Sequence, residues 1–352
     1  MFKILSINPG STSTKIAVYE EEKLLFQKTI RHSNEELAVF ADILSQFEFR
    51  KKLILNILKA ENFPLNELSA VVGRGGMLRP LESGVYEVNS RMLSDLQTAL
   101  PHASNLGALL ANAIAEEIPA CRAFIADPVV VDELQEVARI SGLPMFPRRS
   151  NFHVLNQKAI ARKYAEKIGV DYEKLRLVVA HLGGGISIAA HEYGKVIDVN
   201  QGLDGYGPFS PERSGTIDAG NLVKLCFLGK YTQDEINKLL NGRGGLVAHL
   251  GTNDVTEVEQ LAASGNHKAK ILLEAMAYQV AKEIGAMHVV LGCCSDAIII
   301  TGGIAYSEFV VKKITERVSG LAKVEIFPGE NELEALAFAG LRVLIGEEAK
   351  IY

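Results

Sequence analysis

Asn8-Pro9-Gly10-Ser11-Thr12-Ser13-Thr14-Lys15 brings a glycine, four hydroxyl side chains and a lysine into one turn. Glycine lets backbone approach a ligand closely, the hydroxyls add donors to the peptide N–H groups, and the ammonium adds a fixed positive charge. That set suits phosphate, although an ordinary Asn-Pro-Gly hairpin turn uses many of the same residues. The phosphate candidates here are Asn8, Gly10, Ser11, Thr12, Ser13 and Lys15. A second small turn, Gly183-Gly184-Gly185, follows His181-Leu182 in the middle of the chain. Two such turns facing one another would clamp a polyphosphate from both sides.

The elements that must position these turns are strands. Apolar runs at 3–7 and 16–19, with a third at 24–29 beyond a glutamate-rich turn, predict a three-strand meander. Runs at 175–182, 186–190 and 196–199 repeat the plan. After the first meander, Ser33 and Glu36 form a capping box, and the spacing of Leu37, Phe40, Leu44, Phe47, Ile54 and Leu58 predicts one long helix that ends before Pro64. A buried strand at 69–72 then delivers Gly73-Arg74-Gly75-Gly76 at its carboxyl end, where open α/β sheets place ligand-contacting residues. Arg79 follows. Helices at about 90–100 and 104–118 precede a strand at 122–126 that runs into Asp127-Pro128.

The second half predicts a helix closing at Gly169, the meander, and helices at about 219–229, 232–240 and 267–290, the second capped by Thr232 and Glu235. A buried strand at 297–301 leads into Gly302-Gly303, a helix spans 307–319, and a strand at 324–327 stops at Pro328-Gly329. The last helix opens at Asn331 with Glu334 as its N3 partner. The order β-β-β-α-β-α-β-α, met twice, predicts a duplicated α/β fold with a cleft between the halves. The expected boundaries are 1–130 plus 331–352 for the first domain and 131–330 for the second.

At 352 residues the chain exceeds one ordinary core, which agrees with two domains. With 48% apolar and 22% charged residues it has the composition of a soluble globular protein rather than a disordered one. A net charge of -5, with no basic cluster beyond pairs such as Arg148-Arg149, excludes a nucleic-acid surface. The four cysteines, Cys121, Cys226, Cys293 and Cys294, show no C-x-x-C spacing, so neither a zinc site nor a disulfide framework is expected. No signal-like apolar segment opens the chain, and no apolar run approaches the roughly 18 residues of a membrane span. A cytoplasmic protein with no membrane partner is the expectation.

Several motifs, taken in order over about residues 4 to 340, resemble a known family. Asn8 to Lys15, Asn151-Phe152-His153, His181-Leu182-Gly183-Gly184-Gly185 and Arg213-Ser214-Gly215-Thr216-Ile217-Asp218 are similar to the acetokinase family, within the acetate and sugar kinase, Hsp70 and actin superfamily. The stretches 73–80, 205–213 and 331–336 look like the members of that family that act on butanoate. The resemblance implies two ribonuclease-H-like (actin-like ATPase) domains and reversible transfer of the γ-phosphoryl group of ATP to a short-chain fatty acid, butanoate foremost, with Mg²⁺. Acetate, propionate or a branched acid is the alternative substrate, and an ATP-driven structural protein is the remote alternative. A homo-oligomer is expected, and so is closure of the lobes around substrate.

The resemblance also carries roles. A carboxylate acceptor is already ionised and needs no base, so the site must cancel repulsion between two anions. Arg74 and Arg213 are the candidates for acid and phosphoryl group, with Arg79 competing for the role of Arg74. His153 matches a histidine that hydrogen-bonds the transferring phosphoryl group, a helix-capping contact being its plainer reading. His181 would touch phosphate or serve as a core histidine. Asp127 matches an aspartate associated with the metal, the implied contact being through water, its plainer reading being a cap before Pro128. Gly183, Gly184 and Gly185 would take phosphates, Gly302 and Gly303 adenosine, and Gly329 through Glu332 the base. Acetate kinases carry a glutamate after Gly-Ile-Gly, where this chain has Gly303-Ile304-Ala305-Tyr306, which puts a metal role at that point in doubt.

Overall fold

The described residues form twelve strands interspersed with helices: β1 (Lys3–Pro9), β2 (Ser13–Glu20), β3 (Lys23–Arg31), β4 (Leu68–Arg74), β5 (Val85–Glu87), β6 (Arg122–Ala126), β7 (Arg176–Leu182), β8 (Ile186–Glu192), β9 (Lys195–Val199), β10 (Ala297–Gly302), β11 (Lys323–Pro328) and β12 (Lys350–Ile351). The computed structural model describes residues 1–203 and 205–352. It divides into two compact units, Met1–Val131 with Asn331–Tyr352, and Asp132–Glu330.

In the first unit the strands lie in the order β12-β5-β6-β4-β1-β2-β3, and in the second in the order β11-β10-β7-β8-β9. Five positions correspond: β6-β4-β1-β2-β3 repeats as β11-β10-β7-β8-β9. In each set the first three strands pair parallel, and the last two, which complete the meander, each pair antiparallel with the strand before. Parallel strands put their carboxyl ends on one edge of a sheet. That rule gathers Asn8, Arg74 and Asp127 at one edge of the first sheet, and His181, Gly302 and Gly329 at one edge of the second.

Alternation explains how the second sheet is buried on both faces. Val178, Ala180, Ile298 and Ile300 join one core cluster with Met276, Val280 and Ile284 of helix His267–Val290. Their neighbours Leu177, Val179 and Ile299 join another with Ile160, Ala161 and Tyr164 of helix Val154–Ile168. A strand buried on both sides has no polar alternation to show, which is why these runs read as continuously apolar.

In the first unit helix Glu332–Leu344 packs on β1, β2 and β4, and helix Asn105–Ala115 on β4, β6 and β1. The second contact is glycine against glycine: a Cβ on Gly73 would overlap the Gly107 carbonyl, and one on Gly107 would overlap the Arg74 carbonyl. Helix and strand backbones therefore meet where β4 presents Arg74.

The structure departs from the sequence expectations in a few places. The long helix after Ser33 is broken: the capping box opens only Asn34–Ala38, and a second helix, Phe47–Ala60, follows. Between them Asp42 and Ser45 bond reciprocally, Ser45 N–H donating to Asp42 Oδ1 (2.8 Å) and Asp42 N–H to Ser45 Oγ (3.2 Å), which satisfies backbone outside the helix. Strands β5 and β12 and the helices Gly245–Leu250 and Val255–Ala263 were not expected. Asn331 is the N-cap of the last helix but makes no capping bond; its Nδ2 donates to Glu334 Oε2 at 3.1 Å instead. No helix among the described residues is long and apolar enough to cross a membrane.

Adding one methyl group at Gly107 forces apart a packed helix and strand. Gly107→Ala is expected to cost about 1–3 kcal/mol, the range for overpacking, read as a lower urea midpoint; an unchanged midpoint would contradict the close approach.

Candidate active site

The first unit assembles three of the expected side chains around one carboxylate. Asn8, near the end of β1, donates from Nδ2 to Glu332 Oε2 and faces Arg74 with Oδ1, 3.4 Å from Nη1. Arg74, at the end of β4, lies 3.1 Å from Glu332 Oε1 and 3.3 Å from Oε2. Glu332 was expected beside Gly329, yet it groups with Arg74. It occupies the first turn of a helix packed on β1 and β4, so its side chain falls at the carboxyl ends of those strands.

Asp127 follows β6 with a left-handed φ of 39° and is buried. Its Oδ1 accepts from Ser83 Oγ (2.6 Å) and Gly84 N–H (2.9 Å), and its own N–H donates to the Gly84 carbonyl at 3.0 Å. No helix begins after it, so the capping reading does not apply. Arg79 stacks over the Tyr352 ring, 4.7 Å from its centroid.

The hairpin between β1 and β2 closes through Gly10 N–H to the Ser13 carbonyl (2.7 Å). Ser11 and Thr12 are exposed at its tip, and Lys15 is exposed opposite Asn8 in the β1–β2 register. The second hairpin closes in the same manner, Gly183 N–H donating to the Gly185 carbonyl (3.0 Å). Ser210 Oγ donates to the Gly184 carbonyl at 2.5 Å.

Arg213 belongs to this second turn. A Cβ on Gly185 would overlap the guanidinium, and one on Gly202 would stand 3.3 Å from Nη1. Glycine at 185 is required for the arginine to lie flat on the hairpin. Burial pulls the Arg213 pKa below its ordinary value, with Glu212 acting in the opposite direction.

The two histidines stack, ring centroids 3.8 Å apart at 12°. His153 is the N-cap of helix Val154–Ile168 but makes no capping bond, so that plainer reading also fails. Its tautomer follows from a buried chain of hydrogen bonds. The Ser187 carbonyl can only accept, so the group of Gln157 that meets it at 3.0 Å is the NH₂. The same Nε2 donates to Ser187 Oγ (2.9 Å) and so does the His153 backbone N–H (3.4 Å), which occupies both lone pairs of the hydroxyl and leaves its O–H to donate to His153 Nδ1 at 2.8 Å. His153 then carries its ring proton on Nε2. At the far end Gln157 Oε1 accepts from His191 Nε2 (3.0 Å), and Tyr172 O–H donates to His191 Nδ1 (2.7 Å). Burial first, then Lys158 and Arg162, hold the His191 pKa well below the usual imidazole value.

His181 is buried and donates from Nδ1 to Asn156 Oδ1 at 2.7 Å. Glu330 Oε1 lies 3.1 Å from its Nε2 without hydrogen-bond alignment, and a Cβ on Gly183 would stand 3.0 Å from that carboxylate oxygen and 3.2 Å from the ring nitrogen. Gly302 and Gly329 bond to each other through both backbone groups, N–H to carbonyl at 3.2 and 3.0 Å. Both have left-handed φ, 92° and 98°, and a Cβ on Gly329 would meet the Tyr306 hydroxyl at 3.0 Å. Gly303 is the first residue of the short 3₁₀ turn Gly303–Tyr306. Among the described residues no group of three or more His, Cys, Asp or Glu is arranged to hold a metal. A magnesium ion bound mainly through phosphate and water needs only one or two protein carboxylates, so Asp127 and Glu332 suffice chemically.

Sequence reasoning missed Ser187, Gln157, Asn156 and Ser210, which orient the expected residues, because their partners lie far from them in sequence. It also missed Arg50, which is buried against the carbonyls of the first hairpin.

Two repeated units of the same strand order, each with a glycine-bearing hairpin, are the duplicated fold of the actin-like ATPases. The acetate kinase of Porphyromonas gingivalis has this fold, with a TM-score of 0.81 at 21% identity over 98% of this chain and 100% of that one. Residues 144–349 match the model of the acetokinase family. The chain is 54% identical over 354 residues to butyrate kinase 2 of Clostridium acetobutylicum, covering 100% of this chain and 99% of that protein. It is 53% identical over 346 residues to a probable butyrate kinase of Bacteroides thetaiotaomicron, 98% of each being covered. The chain belongs to the acetokinase family.

The tautomer of His153 is open to direct measurement. In Ser187→Ala the Nδ1 partner is lost, and ring ¹⁵N shifts are expected to move from a single Nε2–H form toward a mixture of tautomers. A spectrum unchanged from wild type would show that Ser187 does not set the proton.

Proposed function

We propose that this protein transfers the γ-phosphoryl group of ATP to the carboxylate of a short-chain fatty acid, butanoate foremost, and runs the reverse reaction from the acyl phosphate and ADP. The single observation that carries the chemistry is the Arg213 guanidinium laid on Gly185, which puts a cation against a glycine turn suited to phosphate. The full-length relatives named butyrate kinase support the acceptor.

In this reading the acceptor carboxylate, with an ordinary pKa of about 4–5, attacks without a base. Its difficulty is Coulombic: two like charges about 4 Å apart repel by roughly 4 kcal/mol near a protein surface. One well-placed guanidinium offsets a term of that size. We assign Arg74 to the acid, held in place by Glu332 and Asn8, and Arg213 to the transferring group. His153 donates its Nε2 proton as a hydrogen bond to an equatorial phosphoryl oxygen and keeps it. Backbone and hydroxyls of Gly10, Ser11, Thr12 and Ser13, with Lys15, bind phosphate, as do Gly183, Gly184, Gly185 and His181. Gly302, Gly303 and Gly329 take the adenosine. Magnesium, when bound, supplies further neutralisation, and Asp127 is the carboxylate assigned to it, with Ser83 and Gly84 fixing its orientation.

We further assign the protein to a reducing cytoplasm, in line with its unpaired cysteines, and propose that it self-associates. Helix Ala219–Cys226 buries none of its residues, and Val223, Phe227, Leu228 and Tyr231 lie exposed along and just after it. Phe227→Glu is expected to shift sedimentation toward smaller species; an unchanged distribution would place any contact elsewhere.

The reaction is tested by trapping acyl phosphate with hydroxylamine across acetate to valerate. Wild type is expected to give product with its highest kcat/KM at butanoate, and Arg213→Ala to lose about 10³-fold or more, the scale of a transition-state arginine. Highest kcat/KM at acetate would overturn the acceptor, and full activity in Arg213→Ala the role of the arginine.

A further inference from the structure

Beneath the first hairpin lies a cation with no place in the reaction above. Arg50, on helix Phe47–Ala60, is fully buried, at 0% exposure. Its Nη1 donates to the Gly10 carbonyl (2.8 Å), the Ser13 carbonyl (3.1 Å) and Thr14 Oγ1 (3.1 Å). Its Nη2 donates to the Ser11 carbonyl (3.1 Å) and Gln46 Oε1 (2.7 Å), and Nε donates to Gln46 Oε1 (3.1 Å). All of these acceptors are neutral. Burial lowers the Arg50 pKa to about 10, so the guanidinium is still charged at neutral pH.

Peptide units are planar, and a trans peptide points its C=O and the following N–H in opposite directions. With the Gly10 and Ser11 carbonyls turned onto the guanidinium, the N–H groups of Ser11 and Thr12 are turned away from it, toward the exposed tip. Thr12 is tied from the other side, its carbonyl accepting from His32 N–H at 2.9 Å. Only a planar fork with five donors reaches three carbonyls, a hydroxyl and an amide oxygen at once; an ammonium has three donors on one atom.

Resting on the reading of this hairpin as a phosphate site, we propose that Arg50 is a positioning residue for the nucleotide. It locks the hairpin with its N–H groups outward and sets a positive charge beneath them. It touches no substrate. A purely structural arginine would change the melting temperature and leave the kinetics of the folded enzyme alone.

The test separates nucleotide from acid. Arg50→Lys keeps the charge and loses the fork, and is expected to raise the KM for ATP by about tenfold or more, the scale of lost hydrogen bonds to a charged group, while the KM for butanoate stays within about twofold. In Arg50→Ala, added guanidinium ion at millimolar concentration is expected to restore part of the ATP affinity. Gln46→Met leaves Arg50 in place but frees one side of the fork; a smaller rise in the ATP KM is expected, and this variant serves if the arginine variants do not fold. Folded variants with an unchanged ATP KM, or with both KM values raised alike, overturn the proposal. Ser11→Glu, at an exposed position of the tip, tests the underlying reading. If it leaves the ATP KM unchanged, the hairpin is not the phosphate site. If it raises that KM while Arg50→Lys and Gln46→Met do not, the hairpin stands and the role of Arg50 falls.

Discussion

A loop that shows peptide N–H groups to a ligand must hide the carbonyls of the same peptide units, and a hidden carbonyl needs a donor. On the proposed reading as phosphate sites both hairpins face this constraint, and their carbonyls are met differently. The first uses a buried arginine reaching from a neighbouring helix to the carbonyls of Gly10, Ser11 and Ser13. The second is shorter and richer in glycine; Ser210 serves the Gly184 carbonyl, and the turn closes on its own backbone. Taking a guanidinium out of water costs several kcal/mol. The hydrogen bonds from Arg50 offset that cost only while the hairpin keeps this conformation, so the charge itself makes other shapes of the loop unfavourable.

The same loop that carries Ser210 also carries Arg213, whose backbone N–H donates to Ser210 Oγ at 3.2 Å. One hydroxyl thus ties the shape of the glycine turn to the placement of the arginine lying on it. In the first unit the equivalent link is made by packing: the contact of Gly107 with the end of β4 fixes the backbone of Arg74, and Glu332 fixes its side chain. Strand order is shared between the units, but the means of holding an arginine is not. Duplication supplied the edge where strands end, and local chemistry filled it separately each time.

Much of this was legible because the signals are local. Both hairpins, the glycine that ends helix Val154–Ile168 and the span of helix His267–Val290 follow from turn chemistry and apolar spacing within a few residues. What escaped depends on contacts distant in sequence. Arg50 stands in the run Arg50-Lys51-Lys52, which reads as a solvated helix face, and nothing nearby shows that one of the three is sealed under a hairpin forty residues earlier. Glu332 lies three residues from Gly329 and was grouped with it, yet the chain passes from one unit to the other between them. Strands β5 and β12, three and two residues long, carry too little pattern to be seen without their partners.

The buried chain from Tyr172 to His153 bears on the kind of chemistry the second unit is built for. A general base must present a lone pair toward its substrate and then accept a proton there. His153 instead has its Nδ1 lone pair occupied by the Ser187 hydroxyl, and that hydroxyl is held by a glutamine whose orientation a backbone carbonyl dictates. Reversing any link in this chain would set two donors or two acceptors face to face, which costs about 1–3 kcal/mol per group. The arrangement therefore keeps the ring proton of His153 on Nε2. An alcohol acceptor would make that a poor design, because its proton must go somewhere as the bond to phosphorus forms. A carboxylate brings no proton, and a fixed hydrogen-bond donor is then of more use than a base.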